Sequence, residues 1–543
     1  MENIKTKNTS KITNSIKKEN EVISNPISRI AETEKDYLFA SILAEGKINI
    51  QLSELFRALE AVGIEASDSR LNFCETDVRD AAKISINQER FKEIVKNSRG
   101  DIIKDALQGN LIIPDFSGFC ESINVIFRET KNNNKGNVAT YIPQLSRVDP
   151  SLYGISVCST DGQKHSIGDS KEKFSVQSIC KPINYCIALE GMGVETVHKH
   201  VGREPSGIGF NGLVLNDSKL PHNPMINAGA IMTCSLIRPD LAMSDRFEYV
   251  LKIWERLSGE KQNISFNNAV YLSEKSTADR NFALGYFMKE NGAFPKDTNL
   301  LDTLEFYFQC CSIQTDTDSL AVIAATLANG GVCPTTGERI LSSESVKNCL
   351  SLMNSCGMYD FSGEFAFTIG LPAKSGVAGG LMLVIPNLMG IVIWSPKLDS
   401  MGNTVRGIEF CKSLVKHYNF HNYDNLTAAY TTKTDARLPK NHNKIEGVIN
   451  LCWAASEGDL LELQHLFARG FDLNMADYDG RTALHLAASE GHKEVVEYLI
   501  KRGALADSTD RWGNTPFEDA QRNKHVEVMD YLSSINKNIV SVL

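Results

Sequence analysis

Near its C-terminal end the chain repeats itself at a fixed interval. Ala454-Ala455-Ser456-Glu457-Gly458 returns as Ala487-Ala488-Ser489-Glu490-Gly491, and Asp477-Tyr478-Asp479-Gly480 aligns with Asp510-Arg511-Trp512-Gly513, each pair 33 residues apart. A strict period of that length leaves little freedom. Each copy is one supersecondary unit that cannot bury its apolar face alone, so neighbouring copies must stack. The third copy, Asn514-Thr515-Pro516-Phe517, turns polar at Glu518 and Asp519, as a terminal unit exposed on one side should. Residues 445–535 are therefore read as a stack of repeated units, with 536–543 as a short tail.

The rest of the chain needs cores of its own. At roughly 150 residues per domain, 543 residues imply three or four folded units. Apolar residues at 42% and charged residues at 23% are ordinary globular usage, which excludes a fibre or a wholly disordered chain. The sum of 57 basic and 66 acidic residues is −9, which gives no general attraction to nucleic acid or anionic lipid. Thirteen cysteines without a CxxC indicate reduced thiols and an intracellular home rather than a disulfide framework or a zinc site. The most apolar stretch, Gly379 to Trp394, is divided by Pro386 and Asn387. It reads as strand, turn, strand, too short to span a membrane.

Residues 1–35 are rich in Lys, Asn, Ser and Thr and are expected to form a flexible tail. Five lysines in the first eighteen residues lean toward an import signal, although arginine is absent before Arg29. From 36 to 128 apolar positions recur at three and four, as in Leu52, Leu55, Phe56 and Leu59, predicting a small helical module. Asn132 to Asn137 reads as a loop. Residues 136–424 mix strand-like runs such as Tyr153 to Cys158 with helix-like runs such as Asp316 to Asn329, predicting an α/β or α+β domain. Residues 425–444 are polar and read as a linker.

Chemistry points to Ser178-Ile179-Cys180-Lys181. A serine nucleophile needs a nearby base, and three residues of helix bring Lys181 onto the face of Ser178. Ser-x-x-Lys also occurs at Ser15, Ser170, Ser258, Ser413 and Ser534, so spacing alone decides nothing. Around Ser178, however, lie Phe174, Val176, Ile179 and Cys180, and Pro182 follows the lysine. Proline is best tolerated in the first turn of a helix, which puts Ser178 near a buried helix N-terminus. Unpaired N–H groups there can stabilise an oxyanion, and burial would lower the Lys181 pKa so that it can take the serine proton.

Two resemblances follow. Arg481-Thr482-Ala483-Leu484-His485-Leu486-Ala487, at the 33-residue period, resembles the ankyrin repeat. From about Asp36 to Leu532 the chain resembles the animal-type glutaminases, serine-dependent enzymes of the β-lactamase/transpeptidase-like fold. The stretches that carry this are Tyr141 to Leu145, PHNPMINAGA (Pro221 to Ala230), CGMYDFSG (Cys356 to Gly363) and LPAKSGVAGG (Leu371 to Gly380).

That resemblance implies hydrolysis of L-glutamine to L-glutamate and ammonia through an acyl-enzyme on Ser178. Lys181 would be the general base and Tyr359 the proton relay toward the leaving ammonia. It implies no metal or organic cofactor, with phosphate as an activator. Carried over position by position, the substrate ligands are Tyr141, Ser178, Asn227, Glu274, Asn281, Tyr307, Tyr359 and Val377. Glu274 would face the substrate ammonium, and the N–H groups of Ser178 and Val377 would form the oxyanion hole. Lys374, in a Lys-Ser-Gly block like that of penicillin-recognising enzymes, stays outside this set.

The resemblance also implies a homotetramer built as a dimer of dimers and residence in mitochondria, with the cytoplasm as the alternative. Gly207 to Asn216 matches the family's gating loop, but Gly212 and Val214 stand where kidney-type members have lysine and phenylalanine, so phosphate activation is expected to differ. The helical module resembles an EF-hand-like bundle without the D-x-[DN]-x-[DN]-G loop, and no calcium binding is expected. The ankyrin segment would bind a protein partner. Two other readings stay open: a penicillin-recognising or peptidase-like serine hydrolase, and an ankyrin scaffold with an inactive middle domain.

Overall fold

The structure is a computed structural model. It describes residues 47–207, 212–259, 263–424, 433–438, 441–468 and 471–540, together with 38–39 and 42–43. The expected N-terminal tail, residues 425–432 and 439–440 of the expected linker, and residues 208–211 of the expected gating loop lie outside the described residues. The chain divides into two units, one formed by 62–70 and 112–438, the other by 1–61, 71–111 and 439–543.

The first unit is built on five antiparallel strands: β1 (Gly154–Ser159), β2 (Lys164–Gly168), β3 (Ala373–Gly376), β4 (Gly380–Ile385) and β5 (Met389–Trp394), in the order β2-β1-β5-β4-β3. Strands β4 and β5 form the expected hairpin, Ile385 opposite Met389 and Gly380 opposite Trp394. Alternation sends successive side chains to opposite faces. Leu381, Leu383, Ile385, Ile391 and Ile393 share one core with Ile155 and Val157. Met382, Val384, Val392 and Trp394 share the other with Cys158.

Both faces are buried because helices cover both. The helices that position the site are α1 (Phe116–Lys131), α2 (Cys180–Met192), α3 (Thr317–Ala328) and α4 (Val405–His417). Ile123 and Phe127 of α1 and Phe410 and Leu414 of α4 pack on the first face. Helix α3 covers the second; it starts where Asp316 accepts from Ser319 N–H at 2.8 Å, and all its residues but Asp318 are buried. It lies so close to β5 that a Cβ on Gly390 would stand 2.3 Å from Ala325 N. This is an α+β architecture, one of the two expected for residues 136–424.

Two segments pack where their sequence gave no signal. Helix α1, grouped above with the N-terminal module, stacks Phe127 on Tyr153 with ring centroids 4.6 Å apart. In the stretch read as linker, Thr434 accepts from Asn419 N–H at 3.1 Å and donates to the His417 carbonyl at 2.9 Å, and Ala436 is buried.

In the second unit, helices Leu52–Ala61, Glu75–Asp80, Gln88–Asn97 and Ile102–Gln108 form the N-terminal module, with Ile50 paired to Ile86 in a short two-stranded ladder. The repeats form the helix pairs Asn441–Glu457 and Leu460–Ala468, Ala483–Glu490 and Lys493–Lys501, and Pro516–Arg522 and Val526–Val540. Their period is chemical as well as geometric. Asp477 Oδ1 accepts from the N–H groups of Asp479 and Arg481, both at 2.9 Å, and Asp510 Oδ1 accepts from Trp512 and Asn514 at 2.9 and 2.7 Å. Among the described residues no helix is long and apolar enough to cross a membrane.

Candidate active site

The chain enters the site through the short strand Phe174–Ser175 and a 3-10 turn, Gln177–Ile179, before α2 begins at Cys180 with Pro182 in its first turn. The first ten residues of α2, Cys180 to Leu189, are all buried. Such a helix has no solvent face, so its start is a fixed platform. Gln177 takes a left-handed φ of 48°, a conformation few non-glycine residues adopt.

One cavity of about 350 Å3 gathers the expected residues. Tyr141, Ser178, Asn227 and Glu274 border it, as do Asn281, Tyr307, Tyr359 and Val377. These eight come from segments spread between positions 141 and 377. Lys181 lies behind the wall, 1% exposed, and donates from Nζ to Asn227 Oδ1 at 2.6 Å. The Tyr307 hydroxyl donates to the same oxygen at 3.3 Å. Burial lowers the Lys181 pKa to about 8, against a smaller opposing effect of the Cys311, Cys180 and Cys234 thiols. A lysine so placed is a base near neutral pH.

Tyr359 opens a 3-10 turn with a left-handed φ of 53°. Burial raises its phenol pKa, and hydrogen bonding with Ser178 opposes that rise. The amine of Lys374 sits 4.5 Å from the Tyr359 ring centroid and donates to the Ser375 carbonyl at 2.7 Å. Burial also holds the Lys374 pKa well below its usual value. The residue left outside the site by sequence thus underlies one of its walls.

Glu274 stands among Ser273, Lys275 and Ser276, where a solvated charge is the default, yet it is only 8% exposed. It accepts from the Tyr141 hydroxyl at 2.7 Å. Burial raises its pKa, and hydrogen bonds from Tyr141 and Gln177 work the other way. Val377 is placed by close approaches on both sides. A Cβ on Gly376 would stand 2.8 Å from the Val176 carbonyl oxygen, and one on Gly379, at φ +92°, 2.3 Å from that of Ser395. Gly376 lets the end of β3 lie against the segment that carries Ser178, and Gly379 lets the following turn lie against the chain just after β5.

Sequence reasoning missed Gln177, Thr277, Ala278, Arg280 and Cys311, which also border the cavity. Gln177 and Arg280 were within reach, each next to a site residue; Cys311 depends on the packing of its helix. Arg280 is the one cation in that wall among the described residues, and Glu274 the one acid. No group of three His, Cys, Asp or Glu side chains converges as a metal site among the described residues, and all thirteen cysteines are free thiols.

A family model for glutaminase matches residues 136–423, one for ankyrin repeats in three copies matches 451–541, and one for an EF-hand domain matches 34–114. The chain is 45% identical over 456 residues to the mitochondrial liver isoform of glutaminase from Mus musculus, covering 83% of this chain and 75% of that protein. It is also 45% identical over 480 residues to putative glutaminase 2 of Caenorhabditis elegans, covering 86% and 79%. A solved structure described as a probable glutaminase superposes with a TM-score of 0.53 at 34% identity, covering 56% of this chain and 97% of that one. Long blocks in one order, a shared fold and matching repeats agree: the chain belongs to the glutaminase family and carries C-terminal ankyrin repeats.

Proposed function

We propose that the chain hydrolyses L-glutamine to L-glutamate and ammonia through a glutamyl ester on Ser178. The observation that carries this reading is Ser178 and Tyr359 at the wall of one cavity, with the buried Lys181, its pKa lowered to about 8, held behind that wall by Asn227. Neutral Lys181 takes the Ser178 proton as Oγ attacks the side-chain amide carbon. The N–H groups of Ser178 and Val377 stabilise the oxyanion. The C–N bond then breaks as the proton passes through Tyr359 to the leaving nitrogen, giving ammonia and the ester. Water attacks the ester with Lys181 as base, the C–O bond breaks, and Ser178 regains its proton.

The substrate is a zwitterion, and a buried unpaired charge is costly. Glu274 receives the ammonium, while Arg280 at the cavity wall, with the amides of Asn227 and Asn281, offers donors to the carboxylate. Glutamate release by the purified chain beside Ser178→Ala tests the reading: activity is expected to vanish with Ser178, and equal activity in both proteins removes it as nucleophile.

The family further supports a homotetramer, activation by phosphate, residence in mitochondria as the mammalian relatives' names state, and a protein partner at the repeats. Light scattering with and without phosphate tests the first two, and organelle fractionation the third. Gly212 and Val214 are the positions at which a weak phosphate response would originate.

A further inference from the structure

Tyr359 is a wall common to two cavities. A second space, of about 340 Å3, is bordered by Tyr359 together with Ser206, Asn223, Ser355, Asp360 and Gly363, and among the described residues Tyr359 alone borders both. Its wall carries hydroxyls, an amide and a carboxylate, and no cation among the described residues.

Given the Ser178 ester, on which this inference rests, the two products need different ways out. Once the C–N bond has broken, the glutamyl group still fills the substrate cavity, and ammonia stands beside Tyr359, which gave it a proton. Water must reach the ester carbon before the glutamate can leave. We propose that the second cavity is the passage by which ammonia departs and the hydrolytic water arrives, with Tyr359 as its inner gatepost. The ammonia passes Asp360 and becomes ammonium in the solvent beyond, its proton balanced by the one that the new side-chain carboxyl of glutamate releases. The same carboxylate repels glutamate, a net anion, and keeps the larger product on its own side.

Gly363 is the position at which to narrow the passage. It borders the space, and a Cβ built on it meets nothing within 4 Å, so Gly363→Phe adds bulk without a clash at its root. Glu364→Phe, at an exposed neighbour outside the cavity wall, is the control for bulk alone. In the full chain Gly363→Phe is expected to lower kcat about tenfold with no rise in KM, because product exchange becomes limiting, and the glutamyl ester on Ser178 should accumulate in quenched turnover mixtures read by mass spectrometry. Glu364→Phe should turn over like the parent. A folded Gly363→Phe with unchanged kcat overturns the passage, and so does a raised KM at unchanged kcat, which would make the space part of the substrate path. If Gly363→Phe does not fold, Ser206→Leu narrows the passage from another segment and is read the same way. Failure of the parent reading looks different: Ser178→Ala then keeps its activity, and no ester forms in any variant.

Discussion

Lys181 donates its buried Nζ to Asn227 Oδ1 at 2.6 Å. The partner is an amide rather than a carboxylate, and this difference sets the chemistry. A carboxylate would hold the lysine charged, whereas an amide oxygen accepts a hydrogen bond from the neutral amine and leaves its lone pair free for the Ser178 proton. Because the proposed base is the neutral form and burial lowers the pKa to about 8, kcat/KM should rise with pH through about 8. Lys181→Arg keeps a cation that stays protonated throughout this range. It is expected to lower kcat about 10³-fold with little change in KM. A pH profile flat on both sides of about 8 would count against Lys181 as base.

Glu274 is the buried acid of the candidate active-site cavity, and Glu274→Gln preserves its shape while removing its charge. KM for glutamine is expected to rise at least about 30-fold, corresponding to about 2 kcal/mol for a desolvated charge left without its partner. Burial raises the Glu274 pKa, so on acidification it loses its charge earlier than an ordinary carboxylate. KM of the parent should therefore climb on the acid side, and this limb should be missing in Glu274→Gln. Steady-state kinetics across acidic pH would show it, and a common limb in both proteins would assign the titration to another group.

Gly229 lies two residues after Asn227 in the helix Asn227–Leu236, and a Cβ there would stand 1.8 Å from the Asn223 carbonyl oxygen. Backbone must move to admit even alanine. Gly229→Ala is expected to destabilise the fold by about 2 kcal/mol, read as a lower Tm, and to reduce turnover because Asn227 moves with its helix. An unchanged Tm would mean that the turn at Asn223 yields freely.

The paired aspartates of the repeats give a symmetric test. Asp477→Ala removes the acceptor of the Asp479 and Arg481 N–H groups, and Asp510→Ala that of Trp512 and Asn514. Each variant should speed amide exchange about tenfold at its own two N–H groups, in line with the loss of one hydrogen bond. Exchange unchanged at those amides would show that the turns hold without their aspartates.

Much of this molecule is legible because its signals are local. A 33-residue period with its ankyrin-like motif marks the helix pairs, the Pro386-Asn387 break in an apolar run marks the β4-β5 hairpin, and Pro182 after Ser-x-x-Lys marks where α2 begins. Other features depend on partners distant in the chain. Glu274 looks like a solvated charge until Tyr141, from another segment, covers it. The left-handed φ at Gln177 and Tyr359 leaves no trace in composition, since neither residue favours that region. Helix α1 is periodic in sequence, yet periodicity marks an apolar face without saying which surface receives it.

Ten successive buried residues at the start of α2 have a consequence for change over time. Ser178, the proposed nucleophile, leads directly into that buried helix, while the other side chains of the cavity wall hang from separate segments around it. A lineage can therefore exchange what the pocket holds, one segment at a time, without disturbing the group that reacts.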